Sequence, residues 1–303
     1  MLFPSGSLYP GMTTWPGSPL LFSYNSLIFG AGTDIQLIGE TGIRMLPATR
    51  SGNTPRGRQD GSNAGLNFLS ERVVTITLSV TVTSQNPFQT VLANMAAAFQ
   101  PVSDPTQLQT LQFMYPGWVT PRQLTGRVTN AGFPVDIDYN FNKVNAYHVE
   151  ITCPDPVIYD SVLQAKTTSL PSPVSGLAFP VTFPASFGSS TGGYLPISNA
   201  GNYPTSPVFV ITGPVSNPTL LNSATGQFFR LNLTLGATDA LVIDMGAKTV
   251  VLNGTAARFN AVATGSSWFT IQPGTWTVGV ASTDSAIVAA TFTAQWRSAW
   301  SHG

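Results

Sequence analysis

The fold is decided in residues 199–235, which read NAGNYPTSPVFVITGPVSNPTLLNSATGQFFRLNLTL. A turn-rich entry leads to an apolar strand at 208–211, a Gly-Pro break follows, and an amphipathic strand is predicted at 228–235. Short β-branched runs separated by Gly, Pro, Asn and Ser are typical of antiparallel β-structure. The stretch contains no pattern typical of an active site, which favours a structural role.

The composition also favours assembly. Charged residues make up 9% of the 303 residues, hydrophobic residues make up 43%, and the formal net charge is zero. An ordinary soluble domain has roughly 25% charged residues, and those charges keep a monomer soluble and unassociated. We therefore expect much of this surface to be covered by partners. The balanced charge disfavours nucleic-acid recognition, which needs clustered Lys and Arg, and no apolar run is long enough for a membrane span.

The first half combines strands with one helix, which predicts either an α+β domain or a small β-barrel with a helix packed on it. A period of two predicts a strand whose buried face carries Val74, Ile76, Leu78, Val80 and Val82. A helix follows, with Asn86 as its cap and Pro87 at its first position. Its predicted apolar stripe consists of Phe88, Leu92, Met95, Ala96 and Phe99. Further strands are predicted at 108–115, 124–129, 135–139 and 146–152, and edge strands or an arm at 19–22 and 34–38.

The second half is predicted to be an antiparallel sandwich. Besides the strands of the opening stretch, we predict strands at 240–244, 249–252, 268–271, 275–280 and 286–296. Turn signals at Asn253-Gly254 and Pro273-Gly274 separate them. Cys153-Pro-Asp-Pro156 ends the last strand of the first half, and a Pro/Gly/Ser-rich linker follows. The predicted domains are therefore 1–158, with an extended arm or loop, and 159–303.

A basic segment interrupts the first domain. Residues 44–67 are rich in glycine and include Arg50, Arg56 and Arg58. Long loops in compact domains are commonly functional or disordered. We interpret this segment either as a solvated surface loop or as a loop that faces a partner or a lumen.

Candidate chemistry is sparse. His148 and Glu150 share one strand face but lack a third metal ligand, and Asp136 with Asp138 lacks an acidic loop around it. Cys153 is the only cysteine, so no intrachain disulfide can form, which favours synthesis inside the cell. His148 lies on the same predicted strand, too far along it for a nucleophilic dyad. Neither catalytic residues, metal ligands nor a cofactor are predicted.

Four tryptophans offer one further option. Trp268, Trp276, Trp296 and Trp300 are candidates for a sugar-stacking platform, although core or interface packing is the commoner use of such residues. They keep open the alternative of a carbohydrate-binding adhesin that uses the C-terminal sandwich. A cell-wall hydrolase is a second alternative, but it needs a catalytic cluster that the sequence does not offer.

Several short motifs together resemble a known family. They are GLAFPVTFPASFG (176–188), NAGNYPTSPVFVITGP (199–214), NPTLLNSATG (217–226), LNG (252–254) and QPG (272–274). An Arg/Gly loop, a long strand, a helix and CPDP (153–156) precede them in the same order. From about residue 44 onward the chain is similar to the distal tail proteins, or siphovirus-type minor tail proteins, of long non-contractile-tailed bacteriophages.

The resemblance implies a virion structural protein that acts without catalysis. It implies a mainly β chain, with an N-terminal ring-forming domain that includes one helix and a C-terminal galectin-like antiparallel β-sandwich. It further implies a homo-hexamer at the tail tip, made in the host cytoplasm. Its partners would be the tail tube protein, the tape-measure protein, the tail-tip hub with its receptor-binding apparatus, and other minor tail proteins. On this basis Arg50, Arg56 and Arg58 are candidate residues of a subunit interface or channel loop.

Overall fold

The computed structural model describes residues 20–82, 87–173, 190–284 and 289–303. It separates into two compact units, Met1–Val162 with Trp300–Gly303, and Leu163–Ala299. The second unit is thus inserted into the first along the chain. Compared with the predicted domains, residues 159–162 and 300–303 group with the first unit.

The first unit is an antiparallel sheet with one helix. Its strands are β1 Leu21–Tyr24, β2 Leu27–Gly30, β3 Ile35–Thr41, β4 Thr49–Ser51, β5 Thr54–Pro55, β6 Ser62–Asn63, β7 Asn67–Leu69, β8 Arg72–Thr81, β9 Gln109–Met114, β10 Arg122–Gly132, β11 Lys143–Cys153 and β12 Ile158–Asp160. The helix α1 spans Phe88–Ala98, and a 3₁₀-helix spans Ile137–Phe141. The main sheet has the order β2-β1-β9-β10-β11-β8-β3, with β12 beside β10.

The alternating strand is confirmed as β8. Val74, Ile76, Leu78 and Val80 are fully buried, and the intervening Thr and Ser residues lie on the opposite face. Val82, predicted on the buried face, lies beyond the end of β8 and is only partly buried. A period of two puts successive side chains on opposite faces of a sheet, so one strand can bury aliphatic groups and leave hydroxyls outside. These aliphatic side chains pack in one core with the buried face of α1.

The predicted helix is confirmed with different details. It begins at Phe88, and Pro87 is its N-cap rather than its first residue. The proposed cap Asn86 lies outside the described residues. Ala96 is exposed, and Val91 and Ala98 lie on the buried face in its place.

Two expectations for the first unit need correction. No strand forms at 135–139, because the Asp136 carboxylate accepts a hydrogen bond from the Asp138 amide at 3.0 Å and begins a 3₁₀-helix. Of the two segments expected at the edges, β3 is an edge strand, but β1 lies inside the sheet between β2 and β9. Pro19 falls outside the described residues.

The second unit consists of two main antiparallel sheets around one core. Its strands are β13 Gln164–Ser169, β14 Ser172–Pro173, β15 Ser190–Thr191, β16 Tyr194–Asn199, β17 Val208–Thr212, β18 Val215–Ser216, β19 Thr219–Asn222, β20 Phe228–Arg230, β21 Thr234–Leu235, β22 Ala240–Asp244, β23 Thr249–Leu252, β24 Ala256–Ala257, β25 Gly274–Ala281 and β26 Thr291–Trp296. The last strand of the chain, β27 Ala299–Trp300, pairs with β12 in the main sheet of the first unit. One sheet has the order β13-β26-β17-β22-β23-β24 and the other β16-β25-β19-β20. Both contribute to a common apolar core, as the sequence predicted for a sandwich.

Two predicted strands of this unit do not form as expected. The strand at 228–235 breaks into β20 and β21, because the Asn232 amide bonds to the Ala261 carbonyl at 2.7 Å and leaves the ladder. Residues 268–271 are not a strand, and Ile271 makes only an isolated bridge with Thr205. Pro273-Gly274 therefore does not join two hairpin strands.

Candidate interaction surfaces

The polar residues considered for catalysis do not form a reactive cluster. On the outer face of β11, His148 Nδ1 lies 3.2 Å from the Thr77 hydroxyl, and Glu150 accepts a hydrogen bond from Thr129 at 2.9 Å. Within the described ranges, no group of three or more His, Cys, Asp or Glu residues could hold a metal ion. These side chains contribute a polar sheet surface.

The paired aspartates support a turn. Asp136 caps the 3₁₀-helix, and Asp138 Oδ2 accepts a hydrogen bond from the Asn145 side-chain amide. Both carboxylates thereby hold the connection between β10 and β11 in place. This connection, residues 133–142, is called the corner loop below.

Cys153 faces away from His148. It lies on the buried side of β11 with no exposed area. Burial raises the pKa of the thiol to about 12, because a thiolate is poorly solvated there. The thiol is neutral at physiological pH and is shielded from reagents, so the structure gives it a packing role.

The tryptophans do not form one platform. Trp296 is buried and donates its indole N–H to the Ser198 carbonyl at 2.8 Å. The indole of Trp276 donates to the Gln272 carbonyl at 2.8 Å. Trp268 packs against Phe229 at 4.4 Å between ring centroids. Trp300 belongs to the other unit.

Residues 44–67, predicted as a loop, form most of an exposed β-hairpin. β4 pairs with β7 and β5 pairs with β6. Further backbone bonds, from Gly52 to Leu66 at 3.0 Å and from Arg56 to Gly61 at 3.1 Å, continue the ladder between and beyond these pairs. Every residue from 48 to 68 is exposed, and we call this segment the arm hairpin.

The arginines and the large apolar side chains of the arm hairpin have few contacts within the chain. Arg50, Arg56 and Arg58 make no side-chain hydrogen bond or ion pair with any residue that the structure describes. Leu66 is 76% exposed and Phe68 is 57% exposed. An isolated two-stranded hairpin is marginally stable in water, so the arm hairpin gains little stability from its own side chains.

The base of the arm hairpin is fixed by a buried arginine. Arg72 is 1% exposed, and its guanidinium donates to carbonyls on three chain segments. The acceptors are Pro156 at 2.8 Å, Ile43 at 3.2 Å, Met45 at 2.8 Å, Ser301 at 2.5 Å, and Gly42. Burial lowers the pKa of Arg72, but a guanidinium with this many acceptors stays charged. These hydrogen bonds, called the Arg72 clamp below, join residues 42–45, which precede the arm hairpin, to residue 301.

A stack of aromatic rings and cations lies in the same unit. The guanidinium of Arg122 lies 3.8 Å from the ring centroids of both Trp118 and Trp300. Arg44 lies 4.5 Å from the ring centroid of Tyr115. Burial lowers the pKa of Arg122 to about 10, which leaves it charged at neutral pH. Cation–π contacts of this kind secure residue 300 beside β10.

Comparison with known proteins finds a family similarity within the second unit. Residues 200–296 match the family described as the siphovirus-type tail component, C-terminal domain. The resemblance to siphovirus tail proteins is confirmed. No curated protein sequence matches the chain.

A solved structure of a phage tail component is similar in fold to this chain. The crystal structure of the Dit protein of phage SPP1 has 12% sequence identity and a TM-score of 0.61, and the match covers 91% of this chain and 98% of that chain. Its description calls it a paradigm of the hub adsorption apparatus in phages that infect Gram-positive bacteria. A chain of the phage p2 baseplate in its activated conformation with Sr has 10% identity and a TM-score of 0.47, with coverage of 92% and 97%. The similarity in fold to the SPP1 Dit protein thus covers most of the chain, beyond the residues that the family model matches.

Sequence reasoning missed three features of these surfaces. It found the arginines of the arm hairpin but not the exposed Leu66 and Phe68 beside them. It left Arg72 unassigned, although Arg72 stands two residues before Val74 and is therefore in phase with the buried face of β8. It did not recognise the corner loop as a surface, because an apolar–acidic alternation there predicted a strand.

Proposed function

We propose that this chain is a structural subunit of a phage tail tip and forms a hexameric ring that joins the tail tube to the tail-tip hub and receptor-binding apparatus. The observation that carries the proposal is the family match of residues 200–296, supported by a shared fold over 91% of the chain. The Dit relative is described as part of a hub adsorption apparatus. By analogy, the partners here are the tail tube protein, the tape-measure protein, the hub and other minor tail proteins, in a virion assembled from chains made in the host cytoplasm.

The surface chemistry suits a ring subunit. A charge content of 9% leaves few groups to keep a free monomer solvated. Closed homo-oligomeric rings are built from head-to-tail contacts, in which one patch of a subunit meets a different patch of the next. The galectin-like character of the second unit is part of this proposal, and such a fold does not by itself imply sugar binding.

The arm hairpin is assigned to a subunit interface or to the channel wall. Its exposed ladder, its unpaired guanidiniums and its exposed apolar side chains are properties of an element that becomes buried on assembly. Arg50, Arg56 and Arg58 are the residues that we assign to this contact. Arginine suits the role because its planar fork bonds two acceptors at once.

Negative-stain microscopy and native mass spectrometry of the purified chain test the ring. The expected particle is a ring with a mass near six times 32.0 kDa. Joint replacement of Arg50, Arg56 and Arg58 by Ser should impair ring or tail assembly. A control in which the exposed Arg127, Lys166 and Lys248 are changed to Ser removes the same number of charges elsewhere and should assemble normally. A wild-type chain that stays monomeric at assembly-level concentrations would refute the proposal.

A second candidate function is glycan binding by the sandwich. One observation favours it: Phe259 is 60% exposed, and its ring lies nearly parallel to Trp268 at 6.2 Å. Sugars stack on aromatic faces of this kind. The test is a host-wall glycan array with the full chain, followed by Phe259→Ala, which removes the exposed ring; Trp276→Ala, outside this ring pair, is the comparison variant. Absence of binding by the wild-type chain would remove this candidate.

A further inference from the structure

We propose that the arm hairpin of one copy docks on the corner loop, residues 133–142, of the next copy in the ring. The inference rests on the proposed ring and deepens it, because it names the receiving surface. Two surfaces of matching chemistry and opposite charge lie at opposite ends of the same sheet. The occupant of the corner loop is therefore a second copy of this chain.

The corner loop exposes apolar side chains beside carboxylates. Val135 is 71% exposed, Ile137 is 71% exposed and Phe141 is 75% exposed. Asp136 and Asp138 alternate with them. Such a concentration of exposed apolar groups marks an interaction site on a soluble surface.

The loop is held in shape before any partner arrives. The ring of Tyr139 packs on Phe88 at 5.4 Å and on Phe133 at 6.2 Å between centroids. The Gln89 side chain donates to the Tyr139 hydroxyl at 3.0 Å. With the Asp136 cap, these contacts fix the backbone so that the exposed side chains are already presented. A preformed surface loses less entropy on binding.

The arm hairpin is complementary to this surface. It carries three arginines and one aspartate, whereas the corner loop carries two aspartates and no basic residue. Both also present apolar groups: Leu66 and Phe68 on the arm, and Ile137 and Phe141 on the corner. Interfaces combine apolar contact with opposite charges that orient the partners.

The placement of the two surfaces favours a head-to-tail contact. The arm ends three residues before β8, whose first residue, Arg72, is paired with Cys153. The corner loop ends at the other end of this pair, where Thr81 is matched with Lys143. β8 has ten residues, so the two surfaces are roughly 30 Å apart along the sheet at the usual rise per residue. Each copy can then give its arm to one neighbour and receive the arm of the other.

Two interface variants test the contact by complementation. Leu66→Ser/Phe68→Ser alters only the arm, and Ile137→Ser/Phe141→Ser alters only the corner. All four side chains are exposed, so neither variant should change the thermal melting of the monomer. Each variant alone should lose rings, with association weakened about tenfold or more. The control Val119→Ser, which changes a side chain that is 94% exposed in another loop, should form rings like the wild type.

Mixing the two variants gives the decisive result. The corner variant still has an intact arm, and the arm variant still has an intact corner loop, so only this one contact can form. The mixture should therefore form a 1:1 heterodimer in native mass spectrometry and nothing larger. Rings formed by the corner variant as readily as by the wild type would overturn this inference while leaving the ring itself intact. Loss of rings in both variants without a heterodimer would also overturn it. A monomeric wild type would instead refute the proposed function, and this contact with it.

A separate variant tests how much the opposite charges of the arm and the corner loop contribute to the contact. Asp136→Asn keeps an oxygen that can accept the Asp138 amide, so it removes charge while retaining the cap. Ring association of this variant should be weaker at low salt and should depend less on ionic strength than that of the wild type. The control Asp104→Asn removes a carboxylate elsewhere and also keeps an acceptor for the Thr106 amide. An unchanged salt dependence in Asp136→Asn would contradict the assigned pairing of charges.

Discussion

Replacing Arg72 with Met should destabilise the first unit strongly. The side chain is 1% exposed and donates to the carbonyls of Pro156, Gly42, Ile43, Met45 and Ser301. Met fills a similar volume but donates nothing. The substitution therefore leaves buried acceptors on three segments without a donor at once.

The size of the effect follows from two opposing terms. Hydrogen bonds to a charged group contribute about 1.5–3 kcal/mol each, and buried acceptors left unpaired cost about as much. Against this, Met removes the cost of burying a cation, which the lowered pKa of Arg72 reflects. Removing one partner of a buried charged network typically costs about 3–5 kcal/mol, and we expect a loss of about 3 kcal/mol here. Arg72→Lys should recover part of the loss, because an ammonium offers three donors instead of five.

Hydrogen exchange of the β8 and β11 amides measures the stability of the first unit separately from that of the second unit. A loss of about 3 kcal/mol corresponds to roughly 100-fold faster exchange of the most protected amides. The control Arg127→Met changes an exposed arginine of β10 and should alter stability by no more than about 0.5 kcal/mol. An effect of Arg72→Met below about 1 kcal/mol would refute the reasoning that the Arg72 clamp holds residues 42–45 and 301 in place.

Two further predictions concern alkaline pH and the arm. Burial raises the pKa of Cys153 from 9.0 and of Tyr24 from 10.0, each to about 12, so their contribution to stability is complete below pH 9 and falls as the pH rises toward 12. Cys153→Ala should flatten that decline in urea denaturation between pH 9 and 11, and an unchanged slope would contradict the burial argument. In the arm, a Cβ at Gly65 would lie 2.2 Å from the Gly52 carbonyl oxygen. Gly65→Val should therefore disrupt the hairpin and abolish rings, while hydrogen exchange of the β8 amides stays unchanged. Gly61→Ala should reduce the ring yield less, because no atom lies within 4 Å of its new Cβ, although φ is +92° there. Equal ring yields from Gly65→Val and the wild type would contradict the assignment of the arm.

The sequence predicted those elements whose pattern arises from burial on one face. β8 alternates without interruption, and α1 has its apolar residues at spacings of three and four, so both could be recognised locally. The sandwich class followed from short apolar runs between turns. β22 and β23 were predicted with the same bounds that the structure shows.

Other features depend on contacts that are distant in sequence. The arm hairpin buries nothing, so its strands have no hydrophobic period, and only backbone pairing reveals them. The corner loop has alternating apolar residues, but the local Asp136 cap overrides that pattern. Arg72 meets Ser301 across most of the chain, which no local pattern can indicate.

The central claim is that this chain forms a ring at the distal end of a phage tail. Its most direct test is cryo-electron microscopy of the virions that carry this chain, with a Fab fragment bound to the exposed Tyr194 region of the second unit. We predict six Fab densities in one ring between the tail tube and the tail-tip hub. Fab density along the whole tube, on the head, or at a single copy per virion would contradict the claim.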